Sequence, residues 1–250
     1  MSSGAPGYAD ITAVILAGGK GTRLRDAVSD VPKVLARVLG RPFITYLLDQ
    51  LDEAGLKKVV LSTGYMNEMV SAELGDSYKD LKLSYSVEET PLGTGGGLRK
   101  ALGLLDSELA LIMNGDSYAD LDLKAFLEWF YLRDRKAAMA LASVDDNSRY
   151  GSVEVSEDGA ISAFKEKSAG NGKAGGHGGR GGLINAGVYL VKRSLIAEIK
   201  EGAPYSLERE LFPSLISKED GLWGYRFDGA FIDIGTPESY AMAESFFADD

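Results

Sequence analysis

The 250-residue chain contains no cysteine. Disulfide bonds, thiolate zinc centres and cysteine nucleophiles are therefore excluded. Histidine is almost as scarce: His177 is the only one, and it sits in a glycine-rich stretch without hydrophobic periodicity. A solvated side chain is the simple reading there, so imidazole is not a candidate base. No apolar run approaches the roughly 20 residues of a membrane span. Residues 1–10 lack the basic and apolar regions of a signal peptide. An excess of positive charge is also missing, since 37 acidic residues against 27 basic ones leave a net charge of −10. A general nucleic-acid binder would need a basic face. These absences suit a cytoplasmic protein with no nucleic acid and no membrane among its partners. There is no Pro-rich linker and no internal repeat. The expectation is a flexible tail over 1–10 and a single domain over 11–250.

Glycine, by contrast, is abundant, at 31 residues. The most informative run is Leu16-Ala17-Gly18-Gly19-Lys20-Gly21-Thr22-Arg23-Leu24, directly after a β-branched apolar stretch at 11–15. A glycine-rich turn after a buried strand leaves backbone N–H groups free to point at an anion. Lys20, Arg23, Arg25 and Lys33 add positive charge nearby, which suits a triphosphate cradle. Two better-known phosphate loops fail on spacing. In the Walker pattern Gly-Lys is followed by Ser or Thr, whereas Gly19-Lys20 is followed by Gly21. In the dinucleotide fingerprint the sixth position from Gly19 would be Gly, and it is Leu24.

Apolar strands and amphipathic helices alternate through residue 144. Strands are expected at 11–15, 58–62, 81–87, 109–113 and 137–144. Helices are expected at 43–51, 66–74, 96–104 and 123–133. Such alternation predicts βαβ units and a mostly parallel sheet, with ligands beyond the carboxyl ends of the strands. The second part, 146–250, is less regular. It has a hairpin at 152–155 and 160–165, a flexible Gly-rich loop at 168–182, strands at 183–191, 223–227 and 230–232, and a last helix from Pro237.

Several residues could carry chemistry. Asp116 follows a buried strand, where one carboxylate among anionic ligands suits Mg²⁺; a turn or cap role fits the same position. Asp233 repeats the arrangement after Phe231-Ile232, and two such aspartates could converge on one metal. Glu166 and Lys167 end a strand, suited to sugar hydroxyls and a phosphate, or simply to a charged strand end. Asn185-Ala186-Gly187 offers an amide with small neighbours. Residues 88–97 read as a second glycine-rich loop, able to wrap a planar base. A carboxylate accepts from N1–H and the exocyclic amine of guanine but pairs poorly with the O4 acceptor of uracil. Guanine is favoured if Glu88 or Glu89 reaches the base; both could equally face solvent.

Taken in order, 16–24, Pro32-Lys33, 91–96, Asn114-Gly115-Asp116, 164–167, 185–187 and 231–237 make the chain resemble the sugar-1-phosphate nucleotidylyltransferases over nearly its whole length. The wording is most similar to D-glycero-D-manno-heptose 1-phosphate guanylyltransferases. Mannose-1-phosphate guanylyltransferases and muramate-phosphate uridylyltransferases stay open. The resemblance implies a Rossmann-like three-layer α/β/α fold with a mixed, mostly parallel sheet, a nucleotide-binding core over 11–145 and a sugar-binding portion over 146–250. It implies Mg²⁺ held by Asp116 and Asp233, a nucleoside triphosphate and a sugar 1-phosphate as partners, and leaves a homo-oligomer open. Arg23, Lys33, Asp116 and Asp233 take the catalytic roles. Leu16, Ala17, Gly18, Gly19, Gly21, Thr22, Glu88, Gly93 and Thr94 meet the nucleotide, and Gly151, Glu166, Lys167 and Asn185 meet the sugar phosphate. The 168–182 stretch is richer in glycine than the family's usual loop and leaves sugar preference open. Two rivals are a non-catalytic nucleotide-sugar sensor and a glycosyltransferase; for the latter Asp120-Leu121-Asp122 comes nearest to the expected Asp-x-Asp metal motif.

Overall fold

The computed structural model describes residues 7–19, 24, 28, 31–145, 150–165, 181–216, 218 and 221–248. Its elements run, in order, β1 (Thr12–Leu16), the ribbon β2 (Arg37–Val38) and β3 (Arg41–Pro42), α1 (Ile44–Glu53), β4 (Lys58–Thr63), α2 (Asn67–Leu74), β5 (Ser77–Tyr78), β6 (Leu81–Val87) and α3 (Gly93–Ala101). There follow β7 (Leu109–Asn114), β8 (Ser117–Ala119), α4 (Leu123–Tyr131), β9 (Ala137–Val144), β10 (Ser152–Val155), β11 (Ile161–Lys165), β12 (Gly182–Lys192) and α5 (Arg193–Glu198). A π-helical turn at Leu207–Leu211 leads into α6 (Phe212–Ile216), and β13 (Leu222–Phe227), β14 (Phe231–Asp233) and α7 (Pro237–Ala248) complete the chain.

Periodicity explains most of these assignments. Ile44, Leu47, Leu48 and Leu51 of α1 recur on one helical face and are all buried, and each is worth roughly 1.5–3 kcal/mol of apolar burial. Gly55, at φ +85, takes the left-handed position that ends the helix. The central strands are buried on both faces, and alternate residues join different cores. Ala13 and Ile15 of β1, and Leu109, Leu111 and Met113 of β7, pack with α1, α2 and α4. Val14, Ala110 and Ile112 pack with α3, α5 and α6 on the opposite side. That is the three-layer α/β/α arrangement.

The sheet has ten strands, ordered β11-β10-β12-β7-β1-β4-β6-β5, with β9 and β13 joined through β12. β7, β1, β4 and β6 are mutually parallel. β12 enters antiparallel to β7 and contributes Val188 and Leu190 to one core and Tyr189 and Val191 to the other. The second part of the chain thus completes the cores of the first.

Three expectations need revising. The 88–97 loop is only half a loop, because helix α3 already begins at Gly93, three residues before the expected start at 96. The glycines there serve close packing against 203–207 rather than loop freedom. Of the expected flexible tail, Tyr8–Asp10 instead form a 3-10 turn, and the Tyr8 hydroxyl donates to Glu128 Oε1 at 2.6 Å. Gly182, expected as the last loop residue, belongs to β12 because it pairs with Val144. β14 falls on the strand expected at 230–232, whereas the ribbon β2–β3, strand β8 and helix α5 had no clear signal, being too short to show a period.

Candidate active site

The parallel strands β1, β4, β6 and β7 end on the same edge of the sheet, and a cavity of about 610 Å³ opens there. Its wall includes Leu16, Ala17, Gly18 and Gly19 after β1, Ser62 of β4, Glu88 after β6, Pro91, Gly93 and Thr94 at the start of α3, and Asn114 and Asp116 at the end of β7. Lys33, Val34 and Gly235 close the remaining side. Gly115 lets the β7 turn close onto β1: its N–H donates to Leu16 O at 2.9 Å, and a Cβ there would meet the same oxygen at 2.9 Å and Val34 Cγ1 at 3.0 Å.

At one end of the cavity stands a charged group. Lys33, held by a 3-10 turn whose Val34 and Leu35 are buried, places Nζ 2.6 Å from Asp116 Oδ2. The lysine side chain is 11% exposed and the aspartate 45%, so the lysine loses most of its water while the carboxylate keeps an open side. Asp233 arrives on the β8–β14 ribbon, where it pairs with Ser117 and Ile234 N–H donates to Asp116 O at 2.9 Å. Asp233 Oδ1 accepts from Gly235 N–H at 2.7 Å and Oδ2 from the Tyr150 hydroxyl at 2.8 Å. A Cβ on Gly235 would lie 2.5 Å from Asp233 Oδ1 and 3.5 Å from Lys33 Nζ, so the glycine keeps a small space among Lys33, Asp116 and Asp233. Asp116 keeps an open side, while both Asp233 oxygens already accept hydrogen bonds; Mg²⁺ takes one or two carboxylates and fills its other positions with water and phosphate oxygens. Among the described residues there is no cluster of three or more acidic or histidine ligands that would form a complete protein cage.

Glu88 stands at the opposite end. Its Oε2 accepts from Leu92 N–H at 2.7 Å, and Oε1 lies 3.4 Å from Ser62 Oγ. A Cβ on Gly18 would come within 2.8 Å of Oε1, and one on Gly97 within 2.5 Å. Burial pushes the Glu88 carboxyl above the usual carboxylate range, against the downward pull of the Leu92 and Ser62 hydrogen bonds. Glu89 is exposed.

The sugar-side candidates are less concentrated. Asn185 Oδ1 accepts from Gly187 N–H at 2.9 Å and Nδ2 donates to the Tyr189 hydroxyl at 2.8 Å. Its amide thereby shapes the bulge in β12, where the register shifts between Asn185 and Tyr189. Gly187, at φ +73, packs the bulge against β7: a Cβ would lie 2.9 Å from Asn114 Nδ2 and 2.7 Å from Ser117 Oγ. Gly151 is buried next to Tyr150. Asp233, Gly151 and Asn185 stand outside the set of residues forming the cavity wall. Lys20, Gly21, Thr22, Arg23, Arg25, Glu166, Lys167 and His177 lie outside the described residues. Asp122 caps α4 by accepting from Ala125 N–H at 3.0 Å, which explains Asp120-Leu121-Asp122 without a metal. Ser62 and Tyr150 escaped the sequence reading, and Asn114 entered it only within Asn114-Gly115-Asp116 and without a role, since a polar residue at a strand end carries no spacing signal.

Known proteins fit this geometry. The nucleotidyl transferase family model matches residues 12–250. The chain is 36% identical over 237 residues to a mannose-1-phosphate guanylyltransferase of Mycobacterium tuberculosis, covering 94% of this chain and 64% of that protein. It is 34% identical over 235 residues to the D-glycero-alpha-D-manno-heptose 1-phosphate guanylyltransferase of Aneurinibacillus thermoaerophilus, covering 93% and 96%. The crystal structure of HddC from Yersinia pseudotuberculosis complexed with GMP-PN superposes with a TM-score of 0.80 at 31% identity, over 95% of this chain and 99% of that one. The chain belongs to the nucleotidyl transferase family.

Proposed function

We propose that the chain condenses GTP with D-glycero-D-manno-heptose 1-phosphate, forming GDP-heptose and pyrophosphate. The observation that carries this reading is a single cavity with a half-buried carboxylate, Glu88, at one end and the Lys33–Asp116 pair at the other. Glu88 offers two oxygens to the N1–H and exocyclic amine of guanine. The heptose choice is supported by the 34% identity, over 93% of the chain, to the Aneurinibacillus heptose enzyme.

In this reaction an oxygen of the sugar phosphate attacks the α-phosphorus. The new bond forms as the bond to the β-phosphoryl oxygen breaks, and pyrophosphate leaves. The nucleophile is already ionised, so no general base is needed. The protein contributes position and charge neutralisation. Lys33 meets the α-phosphoryl group, and the backbone of Gly18 and Gly19, with Gly21, Thr22 and Arg23, binds the triphosphate. Gly93 and Thr94 flank the base. Gly151, Glu166, Lys167 and Asn185 serve the sugar phosphate, Asn185 through the shape of its bulge. Asp116 and Asp233 would hold Mg²⁺, which when bound offsets phosphate charge and aligns the two substrates.

Pyrophosphate release measured over ATP, CTP, GTP, UTP and dTTP, each with several sugar 1-phosphates, tests the reading. Release is expected only with both substrates present, fastest with GTP and the heptose phosphate. Asp116→Asn should lower turnover roughly 10²-fold, as loss of a transition-state electrostatic partner does. Preference for mannose 1-phosphate would support a second reading, which the 36% identity to the mycobacterial enzyme favours. Nucleotide binding without release under any pairing would make the protein a sensor.

A further inference from the structure

The first turn of α3 forms one side of the cavity, yet Gly93, Gly95, Gly96 and Gly97 give it almost no side chains with which to hold its shape. Glycine backbone is conformationally permissive, so a turn of this composition needs an external lock. Segment 203–208 supplies one. Tyr205 O accepts from Gly95 N–H at 2.9 Å and Gly96 N–H at 3.0 Å, and Tyr205 N–H donates to Leu92 O at 2.8 Å. A Cβ on Gly93 would meet Tyr205 O at 2.8 Å, and one on Gly96 would meet Ala203 O at the same distance.

Thr94, the one residue at 93–97 with a side chain, is held from both sides. Its Oγ1 donates to Glu208 Oε2 at 2.6 Å and accepts from Leu207 N–H at 2.9 Å. Ser206 Oγ donates to the same Glu208 oxygen at 2.9 Å. Hydroxyl-to-carboxylate hydrogen bonds are about twice as strong as neutral ones. Glu208 is presented by the π-helical turn Leu207–Leu211. Leu92 is fixed through both of its backbone groups, its N–H by Glu88 and its C=O by Tyr205 N–H. Glu208, Thr94, Leu92 and Glu88 thus form a connected path from the far side of the wall to its buried carboxylate.

We propose that Glu208 is a positioning residue for the nucleotide. By anchoring Thr94 it fixes the first turn of α3, and with that turn the wall formed by Glu88, Pro91 and Gly93. The inference rests on the reading above, in which this wall receives the base.

The test compares Glu208→Ala, Glu208→Gln, Thr94→Val and the double variant Glu208→Ala/Thr94→Val in steady-state assays, with melting temperature and nucleotide-induced melting shift measured alongside. Loss of the anchor should raise the nucleotide KM roughly tenfold, the scale of one lost charge-assisted hydrogen bond. The sugar-phosphate KM should stay unchanged and kcat within about twofold. Glu208→Gln keeps an acceptor and should recover most of the loss. Thr94→Val should match Glu208→Ala, and the double variant should be no worse than either alone. An unchanged nucleotide KM in Glu208→Ala would overturn the proposal, as would a parallel rise in both KM values or multiplicative effects in the double variant. If Glu208→Ala does not fold, Thr94→Val decides alone, and a wild-type nucleotide KM there is the overturning result. Failure of the functional reading is separable: the wild-type protein would release no pyrophosphate, and the nucleotide-induced melting shift would then report on the anchor.

Discussion

Glu88 is half-buried between Gly18 and Gly97, and burial raises its pKa, while the Leu92 N–H, the Ser62 hydroxyl and the charge of Lys100 pull it down. The net direction fixes the sign of two pH effects. A carboxyl whose folded pKa lies above its ordinary value of 4.5 binds a proton more readily folded than unfolded. Its contribution to stability therefore falls as pH rises through the folded pKa. The guanine recognition proposed for Glu88 runs the other way, since only the ionised form accepts two donors. The GTP KM should rise as pH is lowered from neutrality through this raised pKa. Glu88→Gln should remove that dependence and cost roughly tenfold or more in kcat/KM for GTP, by loss of a charge-assisted contact. Steady-state profiles of both proteins against pH check it; a variant retaining the acid-side rise would mean that another group is titrating. Glu89, adjacent in sequence and in the bend beyond β6, is exposed.

At the scale of an element, α3 reverses an ordinary rule. Replacing glycine by alanine inside a helix usually stabilises it by about 1 kcal/mol. Here the helix approaches segment 203–207 so closely that a Cβ on Gly96 would lie 2.8 Å from Ala203 O and 2.8 Å from Leu92 Cβ. Backbone on one side and the buried Leu92 side chain on the other leave little room to yield. Gly96→Ala should therefore destabilise the protein by about 1–3 kcal/mol, the usual scale of overpacking, with a lower midpoint in urea unfolding. A higher midpoint would show that propensity had won. The sequence displayed the glycines and suggested a loop; what it could not display was the partner, because Tyr205 lies more than a hundred positions away.

Over the whole molecule, the position of Asp233 beside the β8 segment depends on how the last helix docks. Asp233 precedes α7, and Phe247 near the far end of that helix stacks on Tyr46 with ring centroids 3.8 Å apart and meets Tyr118 edge-on at 5.0 Å. Tyr118 lies on β8, two residues after Asp116, and Tyr46 on α1, so one aromatic cluster ties together the elements that hold both carboxylates. Phe247→Ala should cost about 3–5 kcal/mol, as truncation of a buried phenylalanine does. Calorimetry should show a lower melting temperature, and if Asp116 and Asp233 hold Mg²⁺ as proposed, activity should require more metal as β14 loosens against β8. A lower melting temperature with an unchanged metal requirement would confine the effect to the helix.

Whereas the three-layer arrangement was what the family resemblance implied, the sequence alone determined the alternation of strands and helices and a mostly parallel sheet, because buried strands and helices with one apolar face each have a local period that sets their type. It also picked out Gly18, Gly19, Lys33, Glu88, Asp116 and Asp233, since glycine-rich turns and lone acids after apolar strands stand out without knowledge of their neighbours. Tertiary structure alone decided which of them meet. The β8–β14 ribbon sets Asp233 against Ser117, with Ile234 N–H on Asp116 O, Gly187 brings the bulge of β12 onto Asn114, and Thr94 finds Glu208 across 114 positions. Those pairings arise from sheet order and helix docking, and contacts between distant segments leave no period in the chain that makes them.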